Sequence, residues 1–141
     1  MFNFYNLSWV PILVSVAALI VSIVTYMKSS KRTQGQVELQ IRELIFQARR
    51  HLSEMTVACC NDDGKHKEEF QKILSSAYED FLNSYDEACK KYLDKKVDQT
   101  SFKQMYADEI RQLAESYRFK EHSGPQTRFR YILRVYEEWR A

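Results

Sequence analysis

Three thiols and three imidazoles carry most of the reactive side-chain chemistry in this 141-residue chain: Cys59, Cys60 and Cys89, and His51, His66 and His122. Adjacent Cys59 and Cys60 with His66 form the one cluster dense enough to suggest soft-metal ligands. No Cys-x-x-Cys or His-x-x-x-His spacing accompanies them, so neither a metal site nor a cofactor is expected. Cys59 or Cys60 instead reads as packing near a helix end, and Cys89 as an inner-face residue. The acidic pairs Glu68-Glu69, Glu79-Asp80 and Asp86-Glu87 are helical neighbours about 100° apart, which makes a solvated face rather than a carboxylate dyad.

Other catalytic signatures are partial. His66-Lys67-Glu68 matches the His-x-Glu of zinc deaminases, but the Pro-Cys-x-x-Cys that completes that site is missing. Helical ribonucleases of the HEPN type carry Arg, four to six residues, then His. The nearest pair here, Arg118 and His122, has only three between, which argues against a nuclease. There is no Gly-rich phosphate loop, no Gly-x-Ser-x-Gly elbow and no His-Glu-x-x-His. No catalytic residue is assigned, and a non-enzymatic protein is expected.

The elements that must hold these residues fall into two solvents. No Asp, Glu, Lys, Arg or His precedes Lys28, while all 40 acidic and basic side chains follow within the last 114 residues. Trp9 to Met27 gives 19 uncharged residues, ten of them Leu, Ile or Val. At ~1.5 Å per residue that is about 28 Å, the thickness of a bilayer's hydrocarbon. Pro11 falls in the first turn, where its missing N–H has no intrahelical partner, and Trp9 and Tyr26 stand where aromatic belts form. Residues 1–27 are therefore read as a transmembrane anchor with a short external N-terminus, and 28–36 as a basic juxtamembrane segment. Lys28, Lys31 and Arg32 follow the span while no Lys or Arg precedes it, so residues 37–141 should be cytoplasmic and the chain should sit in the plasma membrane. A cleaved signal peptide is the competing reading, but it needs a basic n-region and a small-x-small site.

Within the span, Ser8, Pro11, Ser15, Ala18, Ser22 and Thr25 recur at alternating spacings of three and four. In lipid such a heptad seam favours association through close backbone approach, with Ser15, Ala18 and Ser22 at its centre. The alternative is that each hydroxyl bonds a backbone carbonyl one turn back.

Beyond Lys28 the chain should be all-α, an antiparallel bundle of about four helices. Three glycines and two prolines supply too little turn chemistry for a sheet protein. Gly35 is the one candidate break in the polar stretch after the span, and the span helix is otherwise expected to run almost continuously into the next. Val37, Ile41, Leu44, Ile45, Ala48, Leu52 and Met55 mark the inner face of a first helix, ended at Asn61-Asp62-Asp63-Gly64. A second helix over about 67–94 turns Phe70, Ile73, Leu74, Ala77, Phe81, Leu82, Tyr85, Ala88, Cys89 and Tyr92 inward. Asp98 caps a third, with Phe102, Met105, Tyr106, Ile110, Leu113 and Tyr117 inside. After Ser123-Gly124-Pro125-Gln126, spaced as a capping box, a fourth buries Phe129, Ile132, Leu133, Tyr136 and Trp139. Fourteen of the 19 aromatic residues lie beyond Lys28, enough to build this core.

Charge is segregated. Residues 28–60 carry six basic and three acidic groups, 61–98 seven and ten, and 118–141 six and three. The membrane-proximal cations suit anionic lipid headgroups. Arg118, Lys120, Arg128, Arg130, Arg134 and Arg140 either lie against the acidic second helix or meet an acidic protein partner, with Arg128, Arg130 and Arg134 as the candidate docking face. A sequence pI near 8.4 falls short of a nucleic-acid footprint.

The segment Tyr85-Asp86-Glu87-Ala88-Cys89-Lys90-Lys91-Tyr92-Leu93-Asp94, with Tyr106-Ala107-Asp108-Glu109-Ile110-Arg111 and Val135-Tyr136-Glu137-Glu138-Trp139, resembles uncharacterised bacterial proteins made of one N-terminal membrane anchor and a short helical domain. That resemblance implies a bacterial inner-membrane protein and brings no functional residue with it. The expected role is a membrane-tethered interaction or scaffold module whose partners are the bilayer, another protein and a second copy of itself. The alternative is a membrane-damaging effector, for example in phage defence, whose spans cluster on a signal.

Overall fold

The computed structural model describes residues 9–60, 67–122 and 127–140, and every element among them is helical. In chain order these are α1 (Trp9–Cys60), α2 (Lys67–Leu93), α3 (Gln99–Glu115), α4 (Tyr117–His122) and α5 (Arg130–Arg140). The expected Asn61–Gly64 stop and the Ser123–Gln126 capping box lie outside the described residues.

α1 runs 52 residues without interruption, about 78 Å at 1.5 Å per residue, so the span and the first soluble helix are one element. Gly35 does not break it. A lone glycine costs a helix about 1 kcal/mol, too little to stop one that is well formed on both sides, and a Cβ at Gly35 would meet nothing within 4 Å. The separate juxtamembrane segment 28–36 is therefore helix, continuous with what flanks it.

α2 is the central helix. It runs antiparallel to α1, with contacts stepping from Cys59 against Phe70 to Arg49 against Tyr85. α3 turns back beside both, and α5 runs alongside α2 and antiparallel to α3, so that Tyr92, Phe102 and Trp139 meet ring to ring at 5.2–6.2 Å. Tyr85, Leu82, Phe102, Ile110, Phe119, Ile132 and Val135 are fully buried between these helices.

Two junctions explain where the inner faces were misjudged. At Ser116 the backbone leaves the helical region (φ −65°, ψ 142°), and the hydroxyl both donates to Leu113 O at 2.8 Å and accepts from Phe119 N at 3.2 Å. One side chain thus ends α3 and starts α4, as Ser does at caps. The phase shift it imposes turns Phe119 into the core and leaves Tyr117, expected inside, 79% exposed. At the other junction, Lys95 N–H bonds Tyr92 O and Lys96 N–H bonds Lys91 O, closing α2 in a Schellman turn with Lys95 at φ 55°. Asp98 caps α3 as expected, accepting from Ser101 N at 2.7 Å, and its own N–H donates to Glu38 of α1 at 3.0 Å.

Candidate functional site

α5 begins without a cap of its own. Phe129 precedes its first turn and has no acceptor to offer, so the free N–H groups of Tyr131 and Ile132 are taken by Asp86 Oδ1 of α2, at 2.9 and 3.1 Å. Desolvation raises the Asp86 carboxyl above the ordinary carboxylate range, against the lowering effect of those two backbone bonds. This cap positions the candidate docking face. Arg128 stands just before the helix, exposed, with Nη1 3.7 Å from Glu79 of α2. Arg130 lies over the Tyr131 ring at 5.0 Å and donates to its hydroxyl at 3.0 Å. Arg134 is exposed one turn on. Arg118 of α4 stacks over Tyr78 of α2 at 4.9 Å. The C-terminal cations thus lie partly against α2, while the guanidinium groups of Arg128, Arg130 and Arg134 remain in solvent reach.

A polar cluster that periodicity did not flag joins three helices. Arg49 of α1 donates to Tyr85 OH of α2 at 2.6 Å and to Glu109 of α3 at 3.0 Å, and Tyr85 OH donates to Glu109 Oε2 at 2.7 Å. Burial, and then the neighbouring Glu109 carboxylate, push the Tyr85 phenol far up, which keeps it protonated and unsuited to act as a base. Each of the three residues had an unremarkable reading on its own helix. Only their convergence makes them a latch between the long helix and the bundle. A second cluster closes the far end, where Trp139 Nε1 donates to Tyr92 OH at 3.0 Å and Tyr92 OH bonds Glu138 at 3.1 Å.

Between α3 and α5 lies an open cleft of about 280 Å³ lined by Lys103, Asp108, Arg111, Glu115, Tyr136, Trp139 and Arg140. Its charges largely engage one another: Arg111 bonds Asp108 at 2.8 Å and Tyr136 OH bonds Glu115 at 2.9 Å.

The thiols do not converge. Cys59 Sγ lies 3.7 Å from Phe70 O, Cys60 is exposed, and Cys89 is fully buried on α2, where burial pushes its thiol far up. His66 lies outside the described residues, and among the described residues no group of three His, Cys, Asp or Glu is placed to hold a metal ion.

In the N-terminal part of α1, one stretch is long and apolar enough to cross a membrane, and none of it is buried within the molecule. Lys28, Lys31 and Arg32 follow it, exposed and helical. Ser15, Ala18 and Ser22 are likewise exposed, and Ser15 Oγ donates to Pro11 O at 2.8 Å, the local bond that competes with an interhelical one. Comparison with known proteins finds no matching family model, no similar curated protein and no similar solved structure.

Proposed function

We propose that the chain is a membrane-tethered, non-enzymatic interaction module, held in a bacterial inner membrane by Trp9–Met27 with its helical bundle on the cytoplasmic side. The observation that supports this reading is α1 itself. The uncovered apolar stretch and the packed stretch around Ile41 and Ile45 belong to one unbroken helix. A surface on the bundle is then held at a fixed height and orientation relative to the bilayer. A flexible linker would instead leave its position loose by tens of ångströms.

Arg128, Arg130 and Arg134 form the docking face in this reading, and an acidic protein surface is the partner whose chemistry they match. Their guanidinium groups can make bidentate bonds to carboxylates; Arg128 has Glu79 at 3.7 Å, and Arg130 is close enough to the Asp86 carboxylate to act on it electrostatically. Lys28, Lys31 and Arg32 set topology and meet anionic headgroups. Self-association of the anchor through Ser15, Ala18 and Ser22 is part of the same proposal.

The test compares the full chain with the Arg128→Glu, Arg134→Glu variant by crosslinking in membranes, while a voltage-sensitive dye follows membrane potential. Loss of crosslinked partners from the variant, with potential unchanged in both, is the expected result. Identical partners in both misassign the face. Depolarisation by the unmodified chain would replace the tether with the effector reading, and Ser15→Leu, Ala18→Leu and Ser22→Leu should then abolish it.

A further inference from the structure

Past the span, α1 leaves four large apolar side chains in water; Leu44 lies at the edge of the inner face, while Leu39 at 66% exposure, Phe46 at 61% and Val57 at 57% share another direction. At about 100° per residue these three fall within about 20° of one another around the helix, and Leu39 lies about 140–180° from the inward-facing Ile41, Ala48 and Leu52. This is a second apolar face, opposite the one that packs on α2.

Lipid does not cover it. With the span ending at Met27, a rise of 1.5 Å per residue puts Leu39 about 18 Å, Phe46 about 29 Å and Val57 about 45 Å further along the axis. A helix leaving the bilayer near its normal carries all three clear of the hydrocarbon.

We infer that this face packs against the same face of a second copy of the chain, with the two α1 helices parallel and in register. The inference rests on the reading of Trp9–Met27 as a membrane anchor. An anchor gives every copy the same direction and depth, so each residue meets its own counterpart, and a two-fold interface needs such self-complementary contacts. Leu39 against Leu39 and Phe46 against Phe46 supply them.

The register agrees. Counted in sevens, Leu39 and Phe46 are the third and fourth repeats after Ala18, and Val57 is the sixth after Ser15. The spacing that lines up small residues in the span therefore continues without a slip into the stripe of large ones. A strict seven-residue repeat winds two such helices left-handed around each other, which brings both parts of the seam to one interface. Small residues suit the part in lipid, where close approach drives association, and large ones suit the part in water, where burial does.

Ser29, Arg32, Gln36, Glu43, Arg50 and Ser53 occupy the intervening positions of this register past the span. Along each helix Gln47 donates to Glu43 at 2.7 Å and Arg50 bonds Glu54 at 2.8 Å. Like charges facing across the pair still weaken it, so the membrane's restriction of copies to two dimensions is part of the mechanism.

The test uses the full-length chain in membranes, with Cys59→Ser and Cys60→Ser removing the accessible thiols. Single cysteines are then introduced as Leu39→Cys, Gln40→Cys, Phe46→Cys and Gln47→Cys and oxidised. Disulfide-linked dimer should form from Leu39→Cys and Phe46→Cys at least about fivefold faster than from the two controls, because only the former face the seam. Adding Phe46→Glu to Leu39→Cys should lower its yield about tenfold, and because Phe46 points to solvent the bundle should stay folded. Equal or absent crosslinking at 39 and 46 in membrane-embedded chain overturns the inference. Crosslinking at Ser22→Cys without any at 39 or 46 also overturns it, confining self-association to the span. Recovery of the chain in the soluble fraction overturns the anchor reading, and the inference with it.

Discussion

From Pro11 to Met27, α1 exposes residue after residue of Leu, Ile and Val on every side, whereas between Val37 and Leu52 the same helix buries Ile41 and Ile45 and turns Gln40, Glu43 and Arg50 outward. Secondary structure does not distinguish the two halves. What differs is the angular distribution of apolar surface. A helix apolar all round requires apolar surroundings on all sides, while a helix apolar on one stripe requires only a partner for that stripe. The continuity of α1 across Gly35 couples these two requirements mechanically, and the Arg49–Tyr85–Glu109 latch fixes the second half to the bundle.

Exchanging the solvents should therefore be punished differently in each half. Ile45→Asp buries an unpaired carboxylate and should cost the bundle about 4 kcal/mol or more, unfolding it without touching the proposed anchor. Ile20→Asp should cost insertion about 3 kcal/mol and leave the unfolding curve of detergent-solubilised bundle unchanged. Urea titration of Trp139 fluorescence reads the first effect and carbonate extraction the second. If Ile20→Asp loosened the bundle, the two halves would not be independent.

A smaller effect is expected at the α5 cap, which only the bundle half uses. Asp86→Ala orphans two N–H groups and should cost about 1–2 kcal/mol, whereas Asp86→Asn keeps an acceptor and should cost little. Because burial raises the Asp86 carboxyl, the folded state binds its proton more tightly than the unfolded chain. Its contribution to stability is then greatest below the ordinary value of 3.8 and falls as pH rises through the raised value. Unfolding titrations between pH 3 and 7, at ~1-unit steps, should show this decline in the wild-type chain and lack it in Asp86→Asn.

The smallest effect expected is a gain. Lys95 sits at φ 55°, a conformation that glycine adopts without steric cost, so Lys95→Gly should stabilise the bundle by roughly 0.5–1 kcal/mol. Its thermal midpoint in detergent should rise by a few degrees while extraction behaviour stays the same. A lower midpoint would mean that the Lys95 side chain contributes more than its backbone costs.

The core was legible wherever period and identity agreed: Ile41 and Ile45, then Leu82, Tyr85, Ala88, Cys89 and Tyr92, then Phe102, Tyr106 and Ile110 are buried as expected. Leu44, Ile73 and Met105 were expected inside and are exposed. They occupy the edges of their stripes, where burial depends on how far a neighbouring helix reaches, and Met105 meets Arg42 at 3.1 Å there. Val135 is fully buried, although a valine among arginines and glutamates gives a weak local signal, and Tyr78, off the periodic stripe of α2, is buried beneath Arg118.

The sequence by itself determined that the chain is helical, that its charge begins at Lys28, and that the stretch before this point suits lipid. These follow from residue type and spacing, which act over a few turns of helix. Only the tertiary structure decided that Ser116 splits a helix, that Asp86 caps a helix 45 residues away, that Arg49, Tyr85 and Glu109 meet, and that Leu39, Phe46 and Val57 are left uncovered. Each of these depends on which surfaces from distant segments come together, and a hydrogen bond or a packed ring carries no trace of its partner in the local sequence.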